Sequence, residues 1–145
     1  MEHKIKRVLF GGAFDLLHVG HIRAIKRAKS YGYLILNVCS DKRLRLKKGN
    51  DRPIIPQNDR IQMLQALRYV DEVVCFNTAG FSLTRILRKV KPDIVITNTD
   101  NDTYDEECRK FGVDLIKLPR IVVSSKLDTT KIIQKIKGGQ GDSSL

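Results

Sequence analysis

The sequence predicts a doubly wound α/β domain, in which helices cover both faces of one five-stranded parallel sheet. Five short apolar runs alternate along the chain with segments whose apolar residues recur at helical spacing. Each apolar run is nearly continuous rather than alternating with polar residues, as is typical of strands that are buried on both faces. These two observations predict three layers: helices, sheet and helices.

The elements follow in order along the chain. The strands are predicted at residues 8–10, 34–39, 73–76, 94–96 and 113–116. The intervening apolar stripes are Val19, Ile22, Ile25 and Ala28, then Ile61, Leu64 and Leu67, then Leu83, Ile86, Leu87 and Val90, and finally Ile132, Ile133 and Ile136. Residues 41–56 are rich in Lys and Arg and are predicted to form a long, mobile basic loop. In this architecture ligands bind beyond the carboxyl ends of the strands.

Length and composition place further bounds. At 145 residues and 41% hydrophobic content, the chain predicts one domain over residues 1–137 and a disordered tail over 138–145. The net charge of +11 favours anionic partners such as phosphates, nucleotides, nucleic acid or acidic lipid. No apolar run approaches the ~20 residues of a membrane helix, so we expect a cytoplasmic protein without a membrane partner. The three cysteines lack metal-ligand spacing and are predicted to be buried small hydrophobes.

The segment after the first strand carries most of the chemical information. It reads GGAFDLLHVGH from Gly11 to His21 and leads into the first helical stripe. Glycines allow close backbone approach to a phosphate, and a helix start favours negative charge through its free N–H groups and dipole. Histidines three residues apart lie on one helix face, so His18 and His21 can address the same group. Zinc ligation by this pair would need further ligands nearby, which the segment does not supply.

This string resembles the signature of the cytidylyltransferase-like nucleotidyltransferases, the HxGH superfamily. Residues 52–56 (RPIIP), 58–64 (NDRIQML) and 68–73 (RYVDEV) are similar to stretches of glycerol-3-phosphate cytidylyltransferase, of the heptose adenylyltransferase of lipopolysaccharide core synthesis and of archaeal-type FAD synthetase. The resemblance spans roughly residues 5 to 137. It implies a Rossmann-like fold and an enzyme that joins CTP or ATP to a phosphorylated small molecule, with Mg²⁺ as cofactor and release of pyrophosphate.

The resemblance also implies roles for individual residues. Catalytic roles fall to His18, His21, Lys48 and Arg120, and acceptor-binding roles to Lys47 and Arg60. Nucleotide binding falls to Gly11, Gly12, Ala13, Phe14, Asp15, Gly20, Asp100, Ser124, Ser125, Thr129 and Thr130. The hydroxyls of the last two pairs are also suited to capping the last helix, and which pair contacts phosphate stays open. No metal ligands are predicted.

Three alternatives remain open at this stage. The segment 129–133 (TTKII) resembles the heptose and glycerol enzymes most, which favours a sugar or alditol phosphate as acceptor over FMN. A non-catalytic nucleotide- or RNA-binding module would use the +11 charge, but the aromatic content of only 6% and the lack of an RNA-binding signature disfavour it and a nucleic-acid partner. Residues 68–72 resemble a segment at the dimer contact of relatives, which predicts a homodimer.

Overall fold

The predicted fold class is confirmed. The computed structural model describes residues 2–98, 102–119 and 128–139. In chain order these form β1 (Arg7–Gly12), α1 (Val19–Lys29), β2 (Tyr33–Val38), α2 (Asp41–Lys48), α3 (Gln57–Gln65), β3 (Glu72–Val74), α4 (Leu83–Val90), β4 (Ile94–Thr97), α5 (Asp102–Phe111), β5 (Asp114–Lys117) and α6 (Thr129–Gly139). The strands form one parallel sheet in the order β3-β2-β1-β4-β5.

The strand order places the ligand-binding edge. The chain moves outward from β1 to β2 and β3, then returns to add β4 on the other side of β1. Neighbouring connections therefore leave the sheet in opposite directions beyond the ends of β1 and β4, and a crevice opens there. Gly12 and Thr97 are the last residues of these two strands.

Two apolar clusters hold the layers together. On one face, Ala24, Ile25 and Ala28 of α1 and Leu64 of α3 pack on β-strand residues. On the other face, the α4 residues Leu83, Ile86, Leu87 and Val90 pack with Cys108 of α5 on Leu9, Ile35 and Val95. Consecutive residues of β1 thus contribute to opposite faces, which explains why its apolar run is unbroken.

The basic segment corrects one prediction. Residues 41–48 form helix α2 rather than the first half of a loop, and Leu44 is only 2% exposed. The Ser40 hydroxyl caps this helix by accepting from the Arg43 N–H at 3.2 Å. Lys, Arg and Leu are good helix formers, so a segment too polar for the core still folds once one apolar residue anchors it.

Smaller differences concern element ends and cysteines. β3 covers Glu72–Val74 only, and α6 continues to Gly139, two residues beyond the predicted domain end. Ile136 is 60% exposed, so the apolar face of α6 consists of Ile132 and Ile133. The rest of the predicted tail, residues 140–145, lies outside the described residues. Of the cysteines, Cys108 is buried, whereas Cys39 and Cys75 are half-buried.

The helices found in residues 2–98, 102–119 and 128–139 are all too short or too polar to cross a bilayer.

Candidate functional site

The turn between β1 and α1 is built by packing as much as by its glycines. Phe14 is 3% exposed and adopts the left-handed region at φ 51°, so its ring folds back beneath the turn. A Cβ on Gly12 would lie 3.1 Å from that ring, so a larger residue here would crowd Phe14. The Phe14 ring packs on Phe10 and His21, with centroid distances of 5.9 and 5.7 Å. Phe14 therefore supports the predicted site from below.

The two histidines cap the helix that carries them. His18 is the N-cap of α1, and its Nδ1 accepts from the Gly20 N–H at 3.1 Å. The His21 Nδ1 accepts from the His18 N–H at 3.2 Å, and the ring centroids are 3.8 Å apart. Because each Nδ1 accepts a hydrogen bond, the proton of each neutral ring is on Nε2. The turn thus presents two adjacent N–H donors.

Both rings are neutral at physiological pH. Burial lowers the pKa of His21 to about 4, His18 lowers it further and Asp15 opposes the shift. Burial also lowers the pKa of His18, against the opposing charge of Asp128. The pair can therefore offer hydrogen bonds to a phosphate, whereas the neutralising positive charge must come from other residues.

A cavity of about 590 Å³ opens beside the histidines. Eleven of the predicted nucleotide-binding and catalytic residues line it. They come from the turn between β1 and α1, the first turn of α1, the end of α2 and the start of α6: Gly11, Gly12, Ala13, Phe14, Asp15, His18, Gly20, His21, Lys48, Thr129 and Thr130. Five further residues line this cavity, namely Phe10, Ala24, Arg52, Asn98 and Asp128, of which Arg52 and Asp128 are the charged residues that were not assigned to the site from the sequence. Asn98 follows β4, the position from which a ligand contact is expected in this architecture. We call this space the histidine cavity.

A second cavity of about 300 Å³ adjoins the first. Lys47, Lys48 and Arg43 of α2 line it, as do the rings of Phe76, Phe81 and Tyr104. The sequence analysis did not single out Arg43 or the three aromatic rings. The residues common to both cavities are Gly11, Gly12, Ala13, Lys48 and Asn98. The two spaces therefore meet over the glycine turn, and Lys48 stands between them. We call the second space the aromatic cavity.

Asp15, predicted as a nucleotide contact, lines the histidine cavity and has its carboxylate hydrogen-bonded within the protein. Its side chain is 1% exposed and accepts from the backbone N–H groups of Ile54 and Ile55 at 2.8 and 2.9 Å. The Arg52 Nε donates to the same carboxylate at 3.4 Å. With its oxygens accepting these bonds, the Asp15 carboxylate fixes residues 52–55 against the glycine turn.

Arg60 departs from its predicted role in acceptor binding. Its side chain is buried, and Nε donates to the Ile55 carbonyl at 2.8 Å. One terminal nitrogen donates to the carbonyls of Ala13 and Cys39 at 2.7 and 2.8 Å, and the other pairs with Asp41 at 2.7 Å. The guanidinium is thus used within the protein, where it joins the glycine turn, the end of β2 and the start of α2.

The start of α6 is capped by a carboxylate instead of the predicted hydroxyls. The Lys131 N–H donates to Asp128 Oδ1 at 2.8 Å, whereas the Thr129 hydroxyl donates to the Asp15 carbonyl. Asp directly before a helical stripe is a strong N-cap signal, which the sequence contained. Thr130 remains exposed on the wall of the histidine cavity. The predicted site residues Asp100, Arg120, Ser124 and Ser125 lie outside the described residues.

Comparisons with known proteins agree with this geometry. The family described as Cytidylyltransferase-like matches residues 9–138. The FAD synthase of Thermococcus kodakarensis is 40% identical, over 94% of this chain and 96% of its own. The bifunctional protein HldE of Desulfatibacillum aliphaticivorans is 35% identical, over 94% of this chain but 28% of its own. The crystal structure of the lipopolysaccharide core biosynthesis protein from Thermoplasma volcanium superposes with a TM-score of 0.70, at 28% identity over 86% of this chain and 100% of that one.

A strand, a glycine turn and a pair of helix-capping imidazoles thus occur together within the region that the family match covers. The chain belongs to the cytidylyltransferase-like family of nucleotidyltransferases.

Proposed function

We propose that this protein transfers the adenylyl group of ATP to the phosphate of FMN, producing FAD and pyrophosphate. The observation that carries the proposal is the aromatic cavity, which opens from the phosphate-binding turn and has rings and aliphatic side chains in its walls. The FAD synthase relatives, similar over nearly the whole chain, support the same acceptor and ATP as donor. This acceptor replaces the sugar or alditol phosphate that residues 129–133 favoured.

The wall chemistry distinguishes the two acceptor classes. Leu9, Val38, Leu44 and Val95 line the aromatic cavity in addition to its three rings. The polar residues Asn37, Ser40, Thr78 and Ser82 also line this cavity and can pair with the hydroxyls of a sugar phosphate, but such a ligand would leave the rings without an apolar partner. A flavin ring instead presents a broad apolar face with polar groups at its edge, and pockets of this composition bind such ligands. The aromatic cavity therefore fits FMN better.

The reaction needs no covalent intermediate on the protein. A phosphate oxygen of FMN attacks the α-phosphorus of ATP, the new P–O bond forms in line, and the bond from the α-phosphorus to the β-bridging oxygen breaks. Pyrophosphate leaves with that electron pair, and the attacking oxygen is already deprotonated at neutral pH. Catalysis then consists of positioning and of stabilising charge on the phosphoryl oxygens.

The residues of the histidine cavity supply both functions. The Nε2–H groups of His18 and His21 donate to phosphoryl oxygens, and each such donor contributes about 2.7 to 4 kcal/mol to the transition state. Lys48 lies on the wall common to the two cavities, where donor and acceptor phosphates meet. Its ammonium group offsets the charge that builds up between them.

Mg²⁺ was expected as a cofactor of this reaction. Within residues 2–98, 102–119 and 128–139, no three His, Cys, Asp or Glu side chains cluster as a metal site would require. Mg²⁺ often binds mainly through substrate phosphates, and we propose that it enters with the triphosphate.

Product analysis tests the assignment. The protein is incubated with Mg²⁺ and either ATP or CTP, and with FMN, glycerol 3-phosphate or a heptose 1-phosphate as acceptor. We expect FAD and pyrophosphate in equal amounts from ATP and FMN, and far slower turnover for the other pairs. Turnover of a heptose phosphate without FAD formation would overturn the flavin assignment while leaving nucleotidyl transfer intact. A non-catalytic nucleotide-binding module would release no pyrophosphate with any pair.

A further inference from the structure

The aromatic cavity contains a stacked group of three side chains. The rings of Phe81 and Tyr104 are nearly parallel, with an interplanar angle of 18° and centroids 5.9 Å apart. The Arg43 guanidinium carbon lies 4.8 Å from the centroid of the Phe81 ring. All three residues line the cavity. They come from the segment before α4, from α5 and from α2, so the group exists only in the folded chain.

The group is held in place from the side of α2. The Arg43 guanidinium donates to the Ala79 carbonyl at 3.3 Å, and the Ser40 hydroxyl donates to the Thr78 carbonyl at 2.7 Å. The Thr78 hydroxyl in turn donates to the Gly80 carbonyl at 2.9 Å. The backbone that leads to Phe81 is thus bonded to the start of the helix that carries Lys47 and Lys48. The Phe81 ring therefore has a defined position relative to the ammonium groups of Lys47 and Lys48.

Packing in the apolar core does not explain why an aromatic side chain stands at position 81. The Phe81 side chain is 40% exposed, and it belongs to neither of the two apolar clusters that hold the sheet. Tyr104, by contrast, packs against the cluster below α4 and α5. Burial raises the pKa of Tyr104, so its ring stays uncharged at neutral pH. Tyr104 is therefore the anchored ring of the pair, and Phe81 is the ring with exposed surface on the cavity wall.

We propose that Phe81 and Tyr104, held by Arg43, form the platform on which the ring system of the acceptor stacks. This inference rests on the proposed function and identifies the side chains that give it specificity. Stacking on an aromatic side chain depends on the π-face of the ligand and only weakly on its polar substituents. The platform therefore selects acceptors with a planar ring, whereas Lys47 and Lys48 hold the phosphate that every candidate acceptor shares.

The test compares two phosphates that differ only in the ring. FMN consists of a flavin on a ribityl phosphate tail, and D-ribitol 5-phosphate is that tail alone. In Phe81→Leu, which keeps apolar bulk but removes the ring, we expect the KM for FMN to rise about tenfold. The kcat, the KM for ATP and the inhibition constant of ribitol 5-phosphate should stay within roughly twofold. Phe81→Tyr should restore the KM for FMN.

The chain offers a matched control. Phe111 is 38% exposed and its ring lies under Arg88 at 5.9 Å, yet it lines neither cavity. Phe111→Leu should leave every constant unchanged. If the wild-type protein forms FAD, two results would overturn the platform. Phe81→Leu would leave the KM for FMN unchanged, or it would raise that KM and the inhibition constant of ribitol 5-phosphate by the same factor.

A binding measurement separates this inference from the proposed function. FMN affinity is followed without ATP, through the quenching of flavin fluorescence that stacking on tyrosine causes. If the wild-type protein forms no FAD, the proposed function fails, but about tenfold weaker FMN binding by Phe81→Leu would still support a ring platform. Failure of the wild-type protein to bind FMN, or equal binding by both proteins, would overturn it.

Discussion

Each histidine of the pair uses its two ring nitrogens for different purposes. Nδ1 closes the first turn of α1, and this bond fixes the proton on Nε2 and orients the ring. Folding of the helix start therefore also orients the Nε2–H groups that are proposed to donate to phosphate. Replacement of a ring removes a helix cap and a donor together, so stability and turnover must be measured side by side.

The first prediction concerns these donors. His18→Ala and His21→Ala are each expected to lower kcat about 10² to 10³-fold, because each removes one donor to the transition state. The double variant should lose less than the product of the two, since both donors serve the same phosphates. Pyrophosphate release measures turnover, and the loss of the cap should cost about 1 kcal/mol in unfolding free energy. The exposed His3→Ala is the control. Unchanged turnover in the double variant would contradict the site.

The second prediction follows from the lowered pKa of His21. The folded ring stays neutral down to a pKa of about 4, whereas the ordinary value is 6.5. Between these values the unfolded chain binds a proton that the folded chain does not, so protonation favours unfolding. This contribution to stability is complete above the ordinary value and declines as the pH falls toward 4. Urea unfolding across this range should show the decline.

The matched variant for this experiment is His21→Asn, which has no ring to protonate. Its unfolding free energy should fall less steeply than that of the wild-type protein over the same pH range, while the carboxylates contribute equally to both. Identical slopes would show that His21 titrates alike in the folded and unfolded chains.

Helix α2 organises the site as an element. Its start is bonded to the buried Arg60 and to Gln57 of α3, and its last turn carries Lys47 and Lys48 to the cavities. Lys47 lines the aromatic cavity only, whereas Lys48 lines both. The spacing of these cations relative to the glycine turn is therefore set by a rigid helix rather than by a mobile loop.

The third prediction separates the two lysines. Lys47→Ala should mainly raise the KM for the phosphorylated acceptor, whereas Lys48→Ala should lower kcat and raise both KM values. The expected changes are about 10- to 100-fold, the range for a hydrogen bond from a charged group. Lys42→Ala, on the same helix but outside both cavities, is the control. Steady-state kinetics with each substrate varied in turn gives the answer. Equal effects of Lys47→Ala and Lys42→Ala would remove Lys47 from the acceptor site.

The fourth prediction concerns the connection made by Arg60. Arg60→Met should lower the unfolding free energy by about 3 to 5 kcal/mol, because three carbonyls and a carboxylate lose a buried partner. Arg60→Lys should recover only part of this loss, since a single ammonium group cannot reproduce the fork. Urea denaturation measures both, with the exposed Arg109→Met as control. A change as small as the control's would show that these bonds contribute little.

At the scale of the whole molecule, two features matter: the net positive charge and the segment through which two copies of the chain are predicted to associate. The excess of 27 Lys and Arg over 16 Asp and Glu suits a protein whose proposed substrates and product all carry phosphate. Much of this charge lies outside the cavities, including that of Arg68. In the same segment, the Asp71 carboxylate accepts from the Leu34 N–H and from Lys29, at 2.7 and 2.6 Å. This contact ties the predicted dimer segment to α1 and β2.

The fifth prediction is that the protein is a homodimer through residues 68–72. Light scattering should give twice the chain mass of 16.5 kDa. Arg68→Glu should shift the equilibrium toward the monomer, because the segment, which also contains Asp71 and Glu72, then carries only negative charge in both copies, and like charges repel across the interface. Arg23→Glu, exposed on α1, makes the same charge change elsewhere. A wild-type mass of one chain would contradict the prediction.

The sequence by itself determined the order of strands and helices, the parallel sheet and the glycine turn with its histidine pair. These features depend on periodicity and on spacings of a few residues, which local sequence specifies. The same local reasoning missed α2, since an apolar anchor at Leu44 alone is too weak a signal.

Only the tertiary structure decided the use of each polar group and the shape of the site. Arg60 meets Ala13 across 47 residues of chain, and Phe81 meets both Arg43 and Tyr104. An arginine that binds a ligand and one that joins buried carbonyls have the same local sequence signal. The difference lies in which acceptors the folded chain brings within hydrogen-bond distance, a property of long-range packing that short spacings do not encode.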